Sequence, residues 1–89
     1  MYNYFKSIEI TNIPGSNLRA AVLTNDTKEK DVENLPDEIT RVIITQGATE
    51  KMVKKIPKHC SKVFLDKNVS EKAVKAIPAT IMAFHILHN

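Results

Sequence analysis

A pair formed by an aliphatic residue and a proline recurs along the chain at an almost constant interval. The copies are Ile13-Pro14, Leu35-Pro36, Ile56-Pro57 and Ile77-Pro78. The first two copies lie 22 positions apart, and both later intervals are 21 positions. An interval of this kind is typical of repeat proteins, and a repeat determines the whole architecture. The chain therefore divides into repeat units that begin at Leu18, Ile39, Cys60 and Ile81, and the last unit is incomplete.

The apolar residues of these units fall into five columns. The columns are Leu18, Ile39, Cys60 and Ile81; Ala21, Val42, Val63 and Phe84; Leu23, Ile44, Leu65 and Ile86; Val32, Val53 and Val74; and Leu35, Ile56 and Ile77. Every position is apolar although only 43% of the chain is, and chance would produce this in a pre-chosen register with a probability of about 3 × 10⁻⁷. We predict that these columns form the core.

Each unit is predicted to contain a short strand followed by a short helix. Segments 41–45 and 62–66 are rich in β-branched or aromatic residues, as strands are. Ser70 is a suitable N-cap for a helix that ends before Pro78, and the same pattern starts one repeat earlier at Thr49. Units of this kind must stack in order to bury their apolar faces. The sequence thus predicts an α/β protein, a short right-handed β-α solenoid with parallel strands and short helices.

The N-terminal residues predict a cap for this stack. Phe5, Ile8 and Ile10 alternate with polar residues as in a strand, and Pro14-Gly15 favours a type II turn. We expect residues 4–23 to form a hairpin. The whole chain, residues 1–89, is then one repeat domain in which residues 1–17 provide the cap strand and turn.

The strand portion of the units resembles the leucine-rich-repeat segment L-x-x-L-x-L-x-x-N. The clearest copies are Cys60-x-x-Val63-x-Leu65-x-x-Asn68 and Ile81-x-x-Phe84-x-Ile86-x-x-Asn89. The unit beginning at Ile39 departs at Gly47, and the unit beginning at Leu18 departs at Ala21 and Asp26. The Ile-Pro pairs also resemble FNIP repeats, which have a similar period. The resemblance covers residues 13–89 and implies a leucine-rich-repeat type of solenoid that binds proteins through its concave sheet face.

Alternate residues of each predicted strand point away from the helices. They are Ala20, Val22 and Thr24; Arg41, Ile43 and Thr45; Lys62, Phe64 and Asp66; and Ala83, His85 and Leu87. The central column of Val22, Ile43, Phe64 and His85 is mainly apolar, and a solvent-facing apolar ladder is typical of a binding surface. We expect Phe64 and Ile43 to anchor a protein partner, with Arg41 and Lys62 adding charge complementarity. Alternatively, these side chains only raise β-propensity, or a segment outside the chain covers them.

Other classes of function find little support in the sequence. Cys60 stands in a core column, which predicts a buried, inert thiol, and His59 points to the opposite face of its strand. His85 and His88 are joined by no further cysteine or carboxylate cluster, so no metal site, cofactor or enzymatic activity is expected. The first residues turn polar too early to predict a signal peptide, no apolar run approaches the length of a membrane span, and the single cysteine fits a reducing compartment. We therefore expect a cytoplasmic protein that does not enter membranes.

The last strand has no predicted helix after it. An uncovered edge strand invites pairing, so the chain is predicted to be part of a longer solenoid, to form homo-oligomers through this edge, or to associate with another chain. Two further alternatives remain. One is a structural spacer without binding of its own. The other is a small nucleic-acid-binding protein, suggested by the net charge of +3 and disfavoured by the presence of only two arginines, Arg19 and Arg41.

Overall fold

The computed structural model describes residues 7–13 and 15–86, which form a small α/β fold with five strands and three short helices. The strands are β1 Glu9–Asn12, β2 Arg19–Leu23, β3 Arg41–Ile44, β4 Lys62–Leu65 and β5 Met82–His85. The helices are α1 Glu29–Glu33, α2 Glu50–Lys54 and α3 Glu71–Lys75. The parts of the predictions that concern residues 4–6, Pro14, Leu87, His88 and Asn89 lie outside the described residues.

The strands form one sheet in the order β1-β2-β3-β4-β5. β1 pairs with β2 in the antiparallel direction, and each later pair is parallel, which confirms the predicted parallel arrangement. In the middle of the sheet the register follows the repeat, because Ala21 pairs with Val42 and Val42 pairs with Val63. Residues 21 positions apart in these three strands therefore occupy equivalent positions.

The turns that end the helices also recur from unit to unit. The amide of Leu35 donates to the carbonyl of Val32 at 3.2 Å, and the equivalent bonds from Ile56 and Ile77 have the same length. In the proline turns that follow, the amides of Ile39, Cys60 and Ile81 each donate to the carbonyl of a proline at 3.0 Å. Proline suits this position because it stops the helix while its carbonyl remains free to accept.

The helices begin at side-chain caps in two of the three units. The hydroxyl of Thr49 accepts from the amide of Met52 at 3.3 Å, and that of Ser70 accepts from Ala73 at 3.1 Å. Lys28 occupies the equivalent position in α1 and provides no side-chain cap. There the hydroxyl of Ser7 accepts from the Lys28 amide at 2.9 Å. The amide that a cap side chain would satisfy, that of Asp31, instead donates to the carbonyl of Lys28 at 3.0 Å. Ser7 thus holds the start of α1 without replacing the side-chain cap.

The core lies between one face of the sheet and the helices. Most residues of the predicted columns are buried there, including Ile39, Val42, Ile44, Val53, Ile56, Cys60, Val63 and Leu65. Four column members were predicted wrongly: Phe84 and Ile86 lie on the other face of the sheet because of the register of the last strand, and Leu18 and Val74 are exposed. Leu18 is 45% exposed, because it follows the turn of the hairpin rather than a helix and a proline turn. Val74 is 37% exposed, whereas Val32 and Val53 are fully buried, because no further helix among the described residues packs beyond α3.

The last strand departs from the register of the repeat. Lys62 pairs with Met82 and Phe64 with Phe84, so equivalent residues of β4 and β5 are 20 positions apart. The proline turn before β5 keeps the regular spacing as far as Ile81, and Met82 follows immediately, whereas both Cys60 and Ser61 precede Lys62. One residue is therefore missing between turn and strand. Since strand residues alternate between faces, every side chain of β5 lies on the face opposite to the predicted one.

The N-terminal hairpin has the predicted form. Ile10 pairs with Ala21 and Asn12 with Arg19 across β1 and β2. In the turn, the amide of Ser16 donates to the carbonyl of Ile13 at 3.0 Å and Gly15 has a φ of 79°, the left-handed value required at the third position of a type II turn. The segment before β1 contributes the buried Ile8, so the hairpin extends the core beyond β2.

Candidate partner-binding face

The sheet face opposite the helices is called the outer face here, and its side chains form three rows. The middle row consists of Val22, Ile43, Phe64 and Phe84. One flanking row consists of Ala20, Arg41, Lys62 and Met82, and the other contains Thr24, Thr45, Asp66 and Ile86. The predicted outer-face residues of β2, β3 and β4 all lie on this face. Those of β5 do not, because of the shortened unit.

The middle row is more shielded than the sequence predicts. Ile43 is only 7% exposed, and Val22 and Phe64 are half-buried. Neighbouring strands lie about 4.8 Å apart, so side chains in one row cover each other, and the residue at the centre of the row is covered from both sides. The expectation that Ile43 points freely to solvent is therefore wrong. The small Ala20, also expected to face solvent, is fully buried beside Thr11 of β1.

Exposed apolar area is concentrated at the β5 end of the outer face. Phe84 is 38% exposed and Met82 is 59% exposed. The rings of Phe64 and Phe84 stack with centroids 5.6 Å apart and an interplanar angle of 26°. These two rings make an aromatic platform beside the edge of the sheet. The regular alignment of the units missed Phe84 and Met82, although the aromatic residues at 64 and 84 were a signal for the shorter spacing.

His85 does not belong to the outer face. It pairs with Leu65, whose side chain lies in the core, and strand alternation puts His85 on the helix side of the sheet. It is exposed there because no described residue covers this end of the core. The predicted column of Val22, Ile43, Phe64 and His85 is thus corrected to one in which Phe84 takes the last position. The physical reason is the residue missing from the fourth unit.

Arg41 and Lys62 stand directly opposite each other in the register of β3 and β4. The Nη1 group of Arg41 donates to Thr40 Oγ1 at 3.2 Å, while Arg41 Nε is buried and has no hydrogen-bond acceptor among the described residues. The ion pairs found in the described part of the chain join Lys55 to Glu33, His59 to Asp37 and Lys75 to Glu71, and none includes Arg41 or Lys62. Two cations therefore lie side by side on the outer face without an ion-pair partner from residues 7–13 or 15–86.

The opposite end of the outer face has acidic groups. A shallow groove beside β1 is lined by Ser7, Ile8, Glu9, Val22, Thr24 and Asp26. Glu9 continues the middle row, because it pairs with Val22. The outer face thus has acidic groups near β1, the cations Arg41 and Lys62 in one flanking row and Asp66 in the other, and apolar side chains at β5. The two ends of the outer face therefore differ in chemistry.

Cys60 and His59 have structural surroundings. Burial raises the pKa of the Cys60 thiol from 9.0 to about 11, and its Sγ–H donates to the carbonyl of Ile39 at 3.3 Å. Nε2 of His59 donates to the carbonyl of Pro36 at 2.9 Å, and Nδ1 lies 3.5 Å from Asp37 Oδ1. Cys60 therefore ties the third unit to the second, and His59, the last residue of the second unit, ties that unit to the first.

Within residues 7–13 and 15–86, no cluster of three histidine, cysteine or carboxylate side chains could hold a metal ion. The helices found in this part of the chain are also too short and too polar for one of them to cross a membrane.

The described residues define a small α/β protein with a five-stranded, mostly parallel sheet, whose three short helices all lie on one face of the sheet. No protein-family model, curated protein or solved structure matches the chain.

Proposed function

We propose that the chain is a short solenoid of the leucine-rich-repeat type that binds another protein through its outer face, without catalysis. The observation that carries this proposal is the apolar middle row, which crosses four parallel strands on the helix-free face and ends in the stacked rings of Phe64 and Phe84. The regular equivalence of residues 21 positions apart in β2, β3 and β4 supports the solenoid part of the proposal.

The distribution of exposure assigns different roles within the face. Phe84 and Met82 present accessible apolar area, and the half-buried Phe64 supports the ring of Phe84. Aromatic side chains held by their neighbours are effective anchors because little side-chain freedom is lost when they bind. Ile43 is nearly buried and forms part of the surface on which the partner lies. Partner affinity therefore depends mainly on the β4–β5 end of the face.

A random peptide library displayed on phage and selected on the immobilised full chain tests this function. Selected peptides are then titrated into labelled protein and mapped by backbone amide NMR shifts. We expect the largest shifts in β4 and β5 and at Ile43, with small shifts in the helices. A library that yields no peptide above background, or shifts centred on the helix side, would contradict the proposal.

Serine substitutions supply the matched control. Phe64→Ser with Phe84→Ser removes the aromatic platform, whereas Leu18→Ser with Val74→Ser removes two exposed apolar side chains that lie elsewhere. Binding of the selected peptides is expected to be lost in the first double variant and kept in the second. Equal loss in both variants would indicate nonspecific hydrophobic adhesion.

A second candidate function is that of a structural unit that stacks on another chain at the β5 end. The exposure of Val74, set against the complete burial of Val32 and Val53, favours it, as does the edge position of β5. An exposed edge strand can pair with a second copy and so produce a homo-oligomer. Light scattering during size-exclusion chromatography tests it, with Val74→Asp as the variant that should restore a monomer. A monomer of the unmodified chain at high concentration would contradict this candidate.

A further inference from the structure

We infer that the partner of the outer face presents a carboxylate beside a large apolar side chain, so that the carboxylate lies between Arg41 and Lys62 while the apolar group contacts Phe64 and Phe84. This inference rests on the proposed function and specifies the chemistry of the partner.

The charges of the face supply the first argument. Arg41 and Lys62 are opposite each other on adjacent strands, an arrangement that is unfavourable unless a negative group neutralises it. The ion pairs of the described residues include neither cation, and the carboxylate of Glu9 lies in the middle row near β1, away from both. Asp66 lies in the opposite flanking row, four positions after Lys62, which is about 13 Å along an extended strand. A negative group from a partner is therefore favoured between the two cations.

The hydrogen bonding of Arg41 supplies a second, independent argument. Its Nε is buried without an acceptor among the described residues, although buried guanidinium groups are normally satisfied. Because Nε is buried, an external carboxylate reaches it only when the Arg41 side chain turns outward; the carboxylate then accepts from Nε and a neighbouring Nη group at once. Lys62 can contribute a further donor from the next strand. The unsatisfied donor therefore matches a carboxylate better than a diffuse negative charge.

The spacing between the rows defines how the two partner groups are arranged. Lys62 and Phe64 occupy alternate positions in β4, and that separation along a strand is about 7 Å. Alternate side chains of an extended peptide have the same spacing, so Glu or Asp two positions from Phe or Leu would contact both features together. A partner segment with this pattern, lying along β4 and β5, fits the face.

Fluorescence anisotropy with synthetic peptides tests the inference. One labelled peptide repeats the sequence Ser-Glu-Ser-Phe, and its control repeats Ser-Gln-Ser-Phe. At low salt we expect the glutamate peptide to bind the full chain about tenfold more tightly than the glutamine peptide, with the difference shrinking as salt is added. The double variant Arg41→Gln with Lys62→Gln should bind both peptides equally.

A control variant loses the same two positive charges from another part of the surface. Lys51→Gln with Lys72→Gln removes two exposed cations from α2 and α3, and it should retain the preference for glutamate. The inference is overturned if this control variant loses the preference for the glutamate peptide. It is also overturned if the Arg41→Gln, Lys62→Gln variant keeps that preference. A single-stranded oligonucleotide that binds more tightly than either peptide, and only when Arg41 and Lys62 are present, would assign the pair to phosphates and also overturn it.

Failure of the inference is distinguishable from failure of the proposed function. If peptides selected from the random library map to the outer face but glutamate and glutamine peptides bind equally, the acidic partner is wrong and the binding face remains. If neither the library nor the synthetic peptides bind there, both are wrong.

Discussion

Phe64 and Phe84 occupy one register pair across β4 and β5, and their rings stack 5.6 Å apart although their positions differ by one less than the regular repeat. This pairing moves an aromatic side chain from the predicted core to the outer face. It also leaves Ala83 and His85 on the helix side, where they fill little of the core. The shortened fourth unit therefore changes both the surface and the end of the core.

Substitutions in the middle row should separate stability from binding. Ile43→Ala is expected to lower the free energy of unfolding by about 2–4 kcal/mol, since the side chain is nearly buried. Phe84→Ser should cost about 1 kcal/mol or less, because part of the ring is already in water. Urea denaturation followed by far-UV circular dichroism measures both. Equal losses of unfolding free energy in the two variants would show that Ile43 is more exposed to solvent than the structure indicates.

Two valines at equivalent positions should respond very differently to a charge. Val53→Asp puts a carboxylate into a fully buried site and should cost about 3 kcal/mol or more, which is enough to unfold a small domain. Val74→Asp lies at the exposed end of the stack and should cost less than about 1 kcal/mol. Thermal denaturation of the two variants makes the comparison. A large loss in the second variant would mean that this end is covered in solution.

Gly47 should be the less replaceable of the two glycines. A Cβ there would lie 2.6 Å from the backbone nitrogen of Asn25 and 2.7 Å from its Cβ, so adjacent units would have to separate. We expect Gly47→Ala to cost about 2–3 kcal/mol.

Gly15→Ala provides the control in the same protein. A Cβ at Gly15 meets no atom within 4 Å, and only its φ of 79° opposes the change. The expected cost is about 1–2 kcal/mol. Chemical denaturation that ranks Gly15→Ala as the more damaging change would contradict the close approach of the units.

The buried thiol should make stability fall at high pH. Cys60 has a folded pKa of about 11 against 9.0 without burial, so the unfolded chain holds fewer protons than the folded chain between these values. The stabilisation is therefore complete below pH 9 and declines by up to about 1.4 kcal/mol per pH unit as the pH rises toward the folded value.

Cys60→Ala isolates this contribution from other groups that titrate in the same range. The variant should be less stable at neutral pH but lose less stability between pH 9 and 11. Parallel slopes for the two proteins would show that the thiol is not the source.

The sequence predicts β2, β3 and β4 well because their apolar columns repeat in register with the sheet. It also predicts the hairpin, where alternation from Ile8 to Ile10 and the Pro14-Gly15 pair agree. In the last strand apolar residues occur on both faces, with Met82, Phe84 and Ile86 on one and Ala83 beside His85 on the other. The alternation of residue types then does not show which side chains point toward the helices, and the regular 21-residue interval predicts the wrong face.

Other features depend on neighbours that a linear pattern cannot supply. The burial of Ile43 results from side chains on adjacent strands, and the Lys28 amide is satisfied by Ser7 from 21 positions away. The unsatisfied Nε of Arg41 is a matter of geometry rather than composition. The sequence predicts that Arg41 and Lys62 lie on the outer face, but it does not show which charges lie beside them.

The omission of a single position before Met82 has a broader consequence for how such a protein can change. Deleting or inserting one residue at that junction moves the outer-face side chains of the whole strand to the helix side, and those of the helix side to the outer face. No substitution is required. The surface at the end of the sheet, and with it the binding preference proposed for it, can therefore be altered through length alone, and insertion of one residue after Ile81 would turn the ring of Phe84 inward.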